Sequence, residues 1–251
     1  MTTLDIRLSP PVNLRDLGGT PVAGTVVRPG VAIRTDDLSI VTPEYADALV
    51  ADGLTAVIDL RSPQEAGITG RGPLGAHAVS YHHLPLMSNV GEGMDRERPV
   101  LDHAAMGEMY VGMVENAAPQ LVTALSVIAH TPGTAAFHCA AGRDRTGVLA
   151  AMLLLVLGAS DETIVEDYAR TGPHMPAIVE RTRTVMQPLL LSLGFDLEKQ
   201  GTVDFGEGSM DVSMHILLSR LRDRHADPLA PLRRAGLSDD TTALLRRRAL
   251  V

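Results

Sequence analysis

"GTAAFHCAAGRDRTGVLAAMLLLVLGAS", residues 133 to 160, reads as a short buried strand, a turn and a buried helix with no linker between them. The apolar run GTAAFH at 133 to 138 has strand length. The run Val148 to Ala159 is apolar on every side but too short to cross a bilayer, so the sequence predicts a helix inside the protein. A strand feeding straight into a helix is the repeating unit of an α/β fold, and the turn between them lies at the strand's carboxyl end. Ligands of parallel sheets bind at that edge.

The same alternation extends outward. "LTAVIDL" (54 to 60) is a second continuous apolar run of strand length, and "GTVVRPGVAIRT" (24 to 35) reads as two short strands around the turn dipeptide Pro29-Gly30. Thr42, Pro43 and Glu44 begin a helix over 43 to 52, which Gly53 ends. Residues 106 to 129 have helical spacing broken near Pro119, with Met106, Met109 and Met113 as core positions. Ser160 caps a helix through Arg170, and Ser238 caps a terminal one through Leu250. The expected fold class is α/β: one domain over 1 to 251, with a central, mostly parallel sheet flanked by helices. A helical insertion or lid is expected at about 172 to 227, built from two helices separated by "GFDLEKQGTVDFGEG". Met87 to His103 reads as a mobile surface loop.

Composition narrows the function. The formal charge is -8 and the basic residues are scattered, which excludes a nucleic-acid footprint; Arg246, Arg247 and Arg248 read as a solvated helix end. One cysteine permits no intramolecular disulfide, and there is no signal-peptide pattern, so a reducing cytoplasm is expected, with no membrane span. Among the nine histidines none pairs with an acid at metal-ligand spacing, so neither metal nor cofactor is expected. Nothing in the sequence sets an oligomeric state.

The turn carries the chemistry. A thiol attacks as its thiolate, and an ordinary thiol, with a pKa near ~8.5, holds little of that form at neutral pH. A helix N-terminus favours the anion through its unpaired N–H groups and its positive dipole end, and Arg145 adds a full charge beside Cys139. The same features bind phosphate. The amides of Ala140, Ala141, Gly142, Arg143, Asp144 and Arg145 form a candidate nest, Gly142 permits close backbone approach, and a planar guanidinium takes two phosphate oxygens at once. The alternative for a lone cysteine is a small buried hydrophobe, but the neighbouring residues argue against it.

Cys139 and Arg145 enclose five residues, with His138 before and Thr146-Gly147 after. "HCAAGRDRTG" resembles the signature loop of the cysteine-dependent protein tyrosine phosphatase superfamily. In that superfamily cysteine attacks phosphorus, arginine binds the equatorial oxygens, and a phosphocysteine is then hydrolysed. "NLRDLGG" (13 to 19), "RPGVAIRTDDL" (28 to 38), "VIDLRSPQE" (57 to 65), "HLPL" (83 to 86) and "EDYARTG" (166 to 172) are similar, in order, to the bacterial group whose loop reads AGKDRTG. That group includes the mycobacterial phosphatase B. The resemblance extends to "AGLSDDTTALLRRRAL" and is weakest over 87 to 103 and 172 to 227.

The resemblance implies a metal-independent phosphomonoester hydrolase of tyrosine or dual-specificity type, with a phosphorylated protein or small molecule as substrate. Cys139 is the expected nucleophile and Arg145 the phosphate ligand. Arg143 stands where the group usually has lysine, keeping the charge but not the flexible ammonium. Group members carry an acid after the "LPL" stretch, whereas this chain has Met87, Ser88 and Asn89. The expected general acid is therefore Asp144, with Asp95 as second choice; the alternative for Asp144 is a structural carboxylate. Thr146 is expected on the cysteine sulfur and His138 as a brace of the loop. Arg15, Asp16 and Arg61 are candidates to line or brace the entrance, against a structural pairing of Arg61 with Asp59 or Glu65. Aromatic residues make up 3% of the chain and offer few rings to wall a phosphotyrosine. This leaves two competing readings: a metabolic phosphatase for a nucleoside, sugar or inositol phosphate, or a catalytically inactive phosphate-binding module.

Overall fold

A computed structural model describes residues 6–89, 102–194 and 210–251. The chain opens with β1 (Arg15–Asp16) and a small hairpin of β2 (Pro21–Val22) and β3 (Thr25–Val26), then enters β4 (Ala32–Thr35). Pro29-Gly30 does not close a hairpin between the two strands that flank it. β3 pairs back on β2, while β4 joins the main sheet, so the dipeptide links two sheets.

Helix α1 (Pro43–Ala51) starts as its sequence dictates: the Thr42 hydroxyl accepts from the Tyr45 amide at 3.2 Å, and Gly53, at φ +97°, turns the chain into β5 (Leu54–Asp59). Next come α2 (Pro63–Thr69), β6 (Ser80–His83), α3 (His103–Asn116), α4 (Ala118–His130), β7 (Thr134–His138) and α5 (Asp144–Leu157). The break expected near Pro119 falls at Ala117, because proline is accommodated in the first turn of α4. Then follow α6 (Asp161–Ala169), α7 (Met175–Ser192), α8 (Asp211–His225), α9 (Ala230–Arg234) and α10 (Asp239–Ala249), with Ser160 capping α6 and Ser238 capping α10 as the sequence predicts. Arg246 and Arg248 are not a merely solvated end. Arg246 donates to the Val156 carbonyl at 2.8 Å, and Arg248 donates to the Thr131 and Gly133 carbonyls.

The main sheet runs β1-β4-β7-β5-β6, parallel throughout except for β1. Its register aligns the strand ends: His138 lies opposite Thr35 on one side and Asp59 on the other, and Asp59 lies opposite His83. Four loops therefore leave the same edge of the sheet, the one containing Cys139. Alternate residues of β7 serve different cores, Ala135 and Phe137 packing with α3 to α5 and Ala136 with Leu49 of α1.

The helix over Asp211–His225 belongs to the main core, with Met214, Leu217, Leu218 and Leu221 buried against α3 and α6, so it is no lid. Helix α7 packs on α2 and is tied to the segment after β4, where Arg181 donates to Asp36 at 2.8 Å and to the Asp37 carbonyl at 2.9 Å. Most of the expected surface loop, with Asp95 in it, and most of the segment between α7 and α8 lie outside the described residues. No single helix among the described residues is long and apolar enough to cross a membrane.

Candidate active site

Cys139 leaves β7 directly and sits at the foot of α5, 1% exposed, where its Sγ accepts a hydrogen bond from Thr146 Oγ1 at 3.2 Å. The loop between them is held by its carbonyls. Ala140 O accepts from the Asp37 amide at 3.1 Å. Ala141 O and Gly142 O each accept from Asn13 Nδ2 at 3.2 Å, and Gly142 O also accepts from Arg34 at 3.0 Å. Gly142 is required at its position: φ is +67°, and a Cβ there would lie 2.5 Å from the Thr35 carbonyl oxygen. With the carbonyls fixed outward, the amides of Ala140, Ala141, Gly142, Asp144, Arg145 and Thr146 have no acceptor among the described residues. Together with the first turn of α5 they form an anion-binding concavity around the sulfur.

Arg145 points to the same place and is held from behind. Its terminal nitrogens donate to Glu65 Oε2 at 2.5 Å and Oε1 at 2.9 Å, with side-chain exposures of 11% and 1% for the pair. That end-on grip uses two of the five guanidinium N–H groups and leaves an edge for phosphate. Burial would favour the neutral form of Arg145, but Glu65 and Cys139 outweigh it and hold the guanidinium firmly charged. Burial likewise raises the Glu65 carboxyl, and the charge and hydrogen bonds of Arg145 pull it back below the usual carboxylate range. Glu65 also accepts from the Ser62 amide at 2.8 Å, completing the capping box that starts α2.

Deeper charges brace this centre. Arg61, 1% exposed, donates to Asp59 at 2.6 to 3.1 Å, to Asp37 at 3.2 Å, to Ser39 at 2.7 Å and to Thr69 at 2.6 Å. It is a buried strut and does not line an entrance. It pairs with Asp59, while Glu65 goes to Arg145. Arg15 donates to Asp167 at 3.0 Å, to Asn13 Oδ1 at 2.7 Å and to Thr171 at 3.2 Å. Asp16 spends both oxygens on the amides of Gly18 and Gly30, at 2.7 and 2.6 Å. These two residues also brace, Asp16 at a turn and Arg15 through Asn13 and Asp167. Asp167 in turn holds Arg34. Burial raises the Asp167 carboxyl, and Arg34 and then Arg15 bring it below its ordinary value. His138, 1% exposed, sits with Nδ1 3.4 Å from the Leu38 amide and 3.2 Å from the Cys139 carbonyl oxygen, the ring tautomer deciding which it bonds.

Arg143 and Asp144 differ in burial but stay in contact, with Arg143 Nε 3.7 Å from Asp144 Oδ1. The Arg143 side chain is 1% exposed and turned into the helical layer, where Nε lies 3.2 Å from Tyr168 Oη and a terminal nitrogen lies 3.4 Å from the Met106 sulfur. Its backbone stays in the loop, but its charge is directed away from the Cys139 concavity. The Asp144 side chain is 30% exposed and accepts from the Tyr110 hydroxyl. Asn13, Arg34, Asp167 and Tyr168 all lie in the quoted motifs, but nothing local to them marks their roles. Glu65 was visible as the third helical residue after Ser62, and Tyr110 carried no signal beyond its place among the methionines of α3. Along the same edge of the sheet, residues including Pro63, Leu86, Met87, Met109 and Met113 line a largely apolar cavity of about 650 Å³.

A family model described as the tyrosine phosphatase family matches residues 6–251. A tyrosine-protein phosphatase of Nostoc commune is 32% identical over 153 residues, 60% of this chain and 51% of that protein, so the chain spans about half the length of that relative. The triple specificity protein phosphatase PtpB of Mycobacterium tuberculosis is 27% identical over 202 residues, 70% of this chain and 72% of that protein. A crystal structure of a Pseudomonas aeruginosa TpbA variant with phosphotyrosine covers 66% of this chain and 86% of that one at 15% identity, with a TM-score of 0.29.

Proposed function

The chain belongs to the tyrosine phosphatase family, and from that premise we propose that it hydrolyses phosphomonoesters through a phosphocysteine at Cys139, as a phosphatase of tyrosine or dual-specificity type. The Cys139 thiolate attacks phosphorus in line with the leaving oxygen. The loop amides and the open edge of Arg145 take the equatorial oxygens, whose charge grows in the transition state. Asp144 gives its proton to the departing alcohol, then accepts one from the water that attacks the phosphocysteine. Thr146 stabilises the thiolate as it departs from phosphorus, returning the enzyme with inorganic phosphate as product. The thiolate supplies the nucleophile, so the scheme uses no metal.

The observation that carries this reading is the outward anchoring of the loop carbonyls by Asn13, Arg34 and the Asp37 amide, which leaves the amides around Cys139 for an anion. The names of the Nostoc and Mycobacterium relatives weigh against a metabolite phosphatase and against an inactive binding module. A catalytic thiol with no disulfide partner in the chain fits a reducing compartment such as the cytoplasm. The test is hydrolysis of p-nitrophenyl phosphate in the presence of a chelator. Wild type turns over, and Cys139→Ser does not while still binding inorganic phosphate; residual turnover by that variant would overturn the mechanism.

A further inference from the structure

Arg143, Tyr168, Tyr110 and Asp144 form a hydrogen-bonded chain whose direction is fixed by chemistry. A guanidinium only donates, so Tyr168 Oη accepts from Arg143 Nε at 3.2 Å. Tyr168 Oη also lies 2.8 Å from Tyr110 Oη, so its proton points there. The Tyr110 proton then points to Asp144 Oδ1. The two rings meet edge to face at 6.1 Å, and both tyrosines are fully enclosed, at 0% and 1% exposure. Burial, reinforced by Asp144, pushes both phenols above their usual range, so they remain donors throughout the working range of the enzyme.

This arrangement distinguishes the two oxygens of Asp144. Oδ1 already accepts the Tyr110 proton and lies 3.7 Å from the positive Arg143 Nε, so a proton on that oxygen would face a cation and weaken the bond from Tyr110. A proton on Oδ2 leaves both the Tyr110 bond and the arginine contact intact. We infer that Tyr110 and Tyr168 are positioning residues that place the transferable proton of Asp144 on Oδ2, with Arg143 setting the direction of the chain from inside the helical layer. The inference rests on the proposed role of Asp144 as general acid. When the phosphoester bond breaks, the Oδ2 proton passes to the leaving oxygen and Asp144 becomes a carboxylate that keeps its bond from Tyr110. No proton travels through the tyrosines. The arginine that replaces the group's usual lysine therefore supports the proton donor and leaves substrate contact to Arg145.

The test compares kcat/KM for phenyl phosphate, a poor leaving group, with that for 2,4-dinitrophenyl phosphate, a good one. Asp144→Asn loses about a hundredfold or more on the first and far less on the second. Tyr110→Phe, which keeps the ring packing, loses about tenfold on phenyl phosphate and less than about threefold on the activated ester, with inhibition by inorganic phosphate unchanged. Tyr168→Phe gives a smaller loss with the same dependence and takes the place of Tyr110→Phe should that variant not fold. A tyrosine variant that loses equally on both esters, or on neither, while Asp144→Asn remains selective overturns the positioning role and leaves the acid standing. An Asp144→Asn variant with no leaving-group dependence overturns the acid and the positioning role together.

Discussion

Arg145 and Glu65, 80 positions apart, meet through two hydrogen bonds at 2.5 and 2.9 Å that orient the phosphate-binding guanidinium. Replacing the carboxylate by an amide keeps the shape and one acceptor but removes the charge opposite Arg145. Glu65→Gln is expected to lower kcat/KM for p-nitrophenyl phosphate by about 10- to 100-fold through misplacement of the guanidinium. It is also expected to lower unfolding stability by about 1–3 kcal/mol, because Arg145 stays buried without full compensation. Steady-state kinetics and urea unfolding measure the two effects, and wild-type values in both would mean that the pair positions nothing.

Two glycines separate backbone geometry from composition. At Gly142 the positive φ and a Cβ 2.5 Å from the Thr35 carbonyl oxygen make alanine both strained and obstructed. Gly142→Ala is expected to cost at least about 2 kcal/mol and to abolish turnover, since the loop amides move with the backbone. Gly67 lies exposed in α2, and a Cβ added there would meet nothing within 4 Å. Gly67→Ala is expected to raise stability by about 0.5–1 kcal/mol without altering kinetics. Thermal melts of the pair check both signs, and a neutral Gly142→Ala would contradict the close approach of the loop to Thr35.

The catalytic loop was legible because its requirements are local: a strand, a nucleophile, a glycine, an arginine and a helix start within a dozen residues. The α/β alternation was legible for the same reason. The supports were less visible, because Asn13, Arg34, Glu65 and Asp167 reach the loop from distant parts of the chain, and a lone polar residue does not announce its partner. Arg61 shows the limit most clearly. Its motif placed it near the site, yet only the packed structure reveals that Asp59, Asp37, Ser39 and Thr69 enclose its guanidinium. Arg143 misled because a positive charge in a phosphate loop suggests phosphate, whereas Tyr168 and Met106 draw it inward.

Thr146 offers its hydroxyl to the Cys139 sulfur at 3.2 Å in a dry setting. If that bond stabilises the thiolate leaving phosphorus, its loss falls on breakdown of the intermediate. Thr146→Val, nearly isosteric, is expected to lower kcat by about 10- to 100-fold. Stopped-flow mixing with p-nitrophenyl phosphate should then show a burst of nitrophenol before a slow steady state. An unchanged kcat with no burst would place the hydroxyl outside the chemistry.

Acid should loosen the protein through the carboxylates that hold the site. Burial raises the carboxyls of Glu65 and Asp167, but the charge of Arg145 on the first, and of Arg34 and Arg15 on the second, brings each below its unfolded value. A group whose pKa falls on folding stabilises the native state above its unfolded pKa, and that contribution is lost as pH falls through the folded one. The urea midpoint should therefore hold between about pH 7 and 5 and fall below about pH 4.5, where unfolded carboxyls begin to take up protons. Tyr110 works in the opposite sense. Burial, then the Asp144 charge, raises its phenol, so its contribution is complete below about pH 10 and is lost as the unfolded phenol ionises above it. Glu65→Gln should flatten part of the acid slope and leave the alkaline one intact, whereas Tyr110→Phe should do the reverse. An acid slope identical in wild type and Glu65→Gln would show that the pair beneath the catalytic loop contributes nothing to the pH dependence of folding.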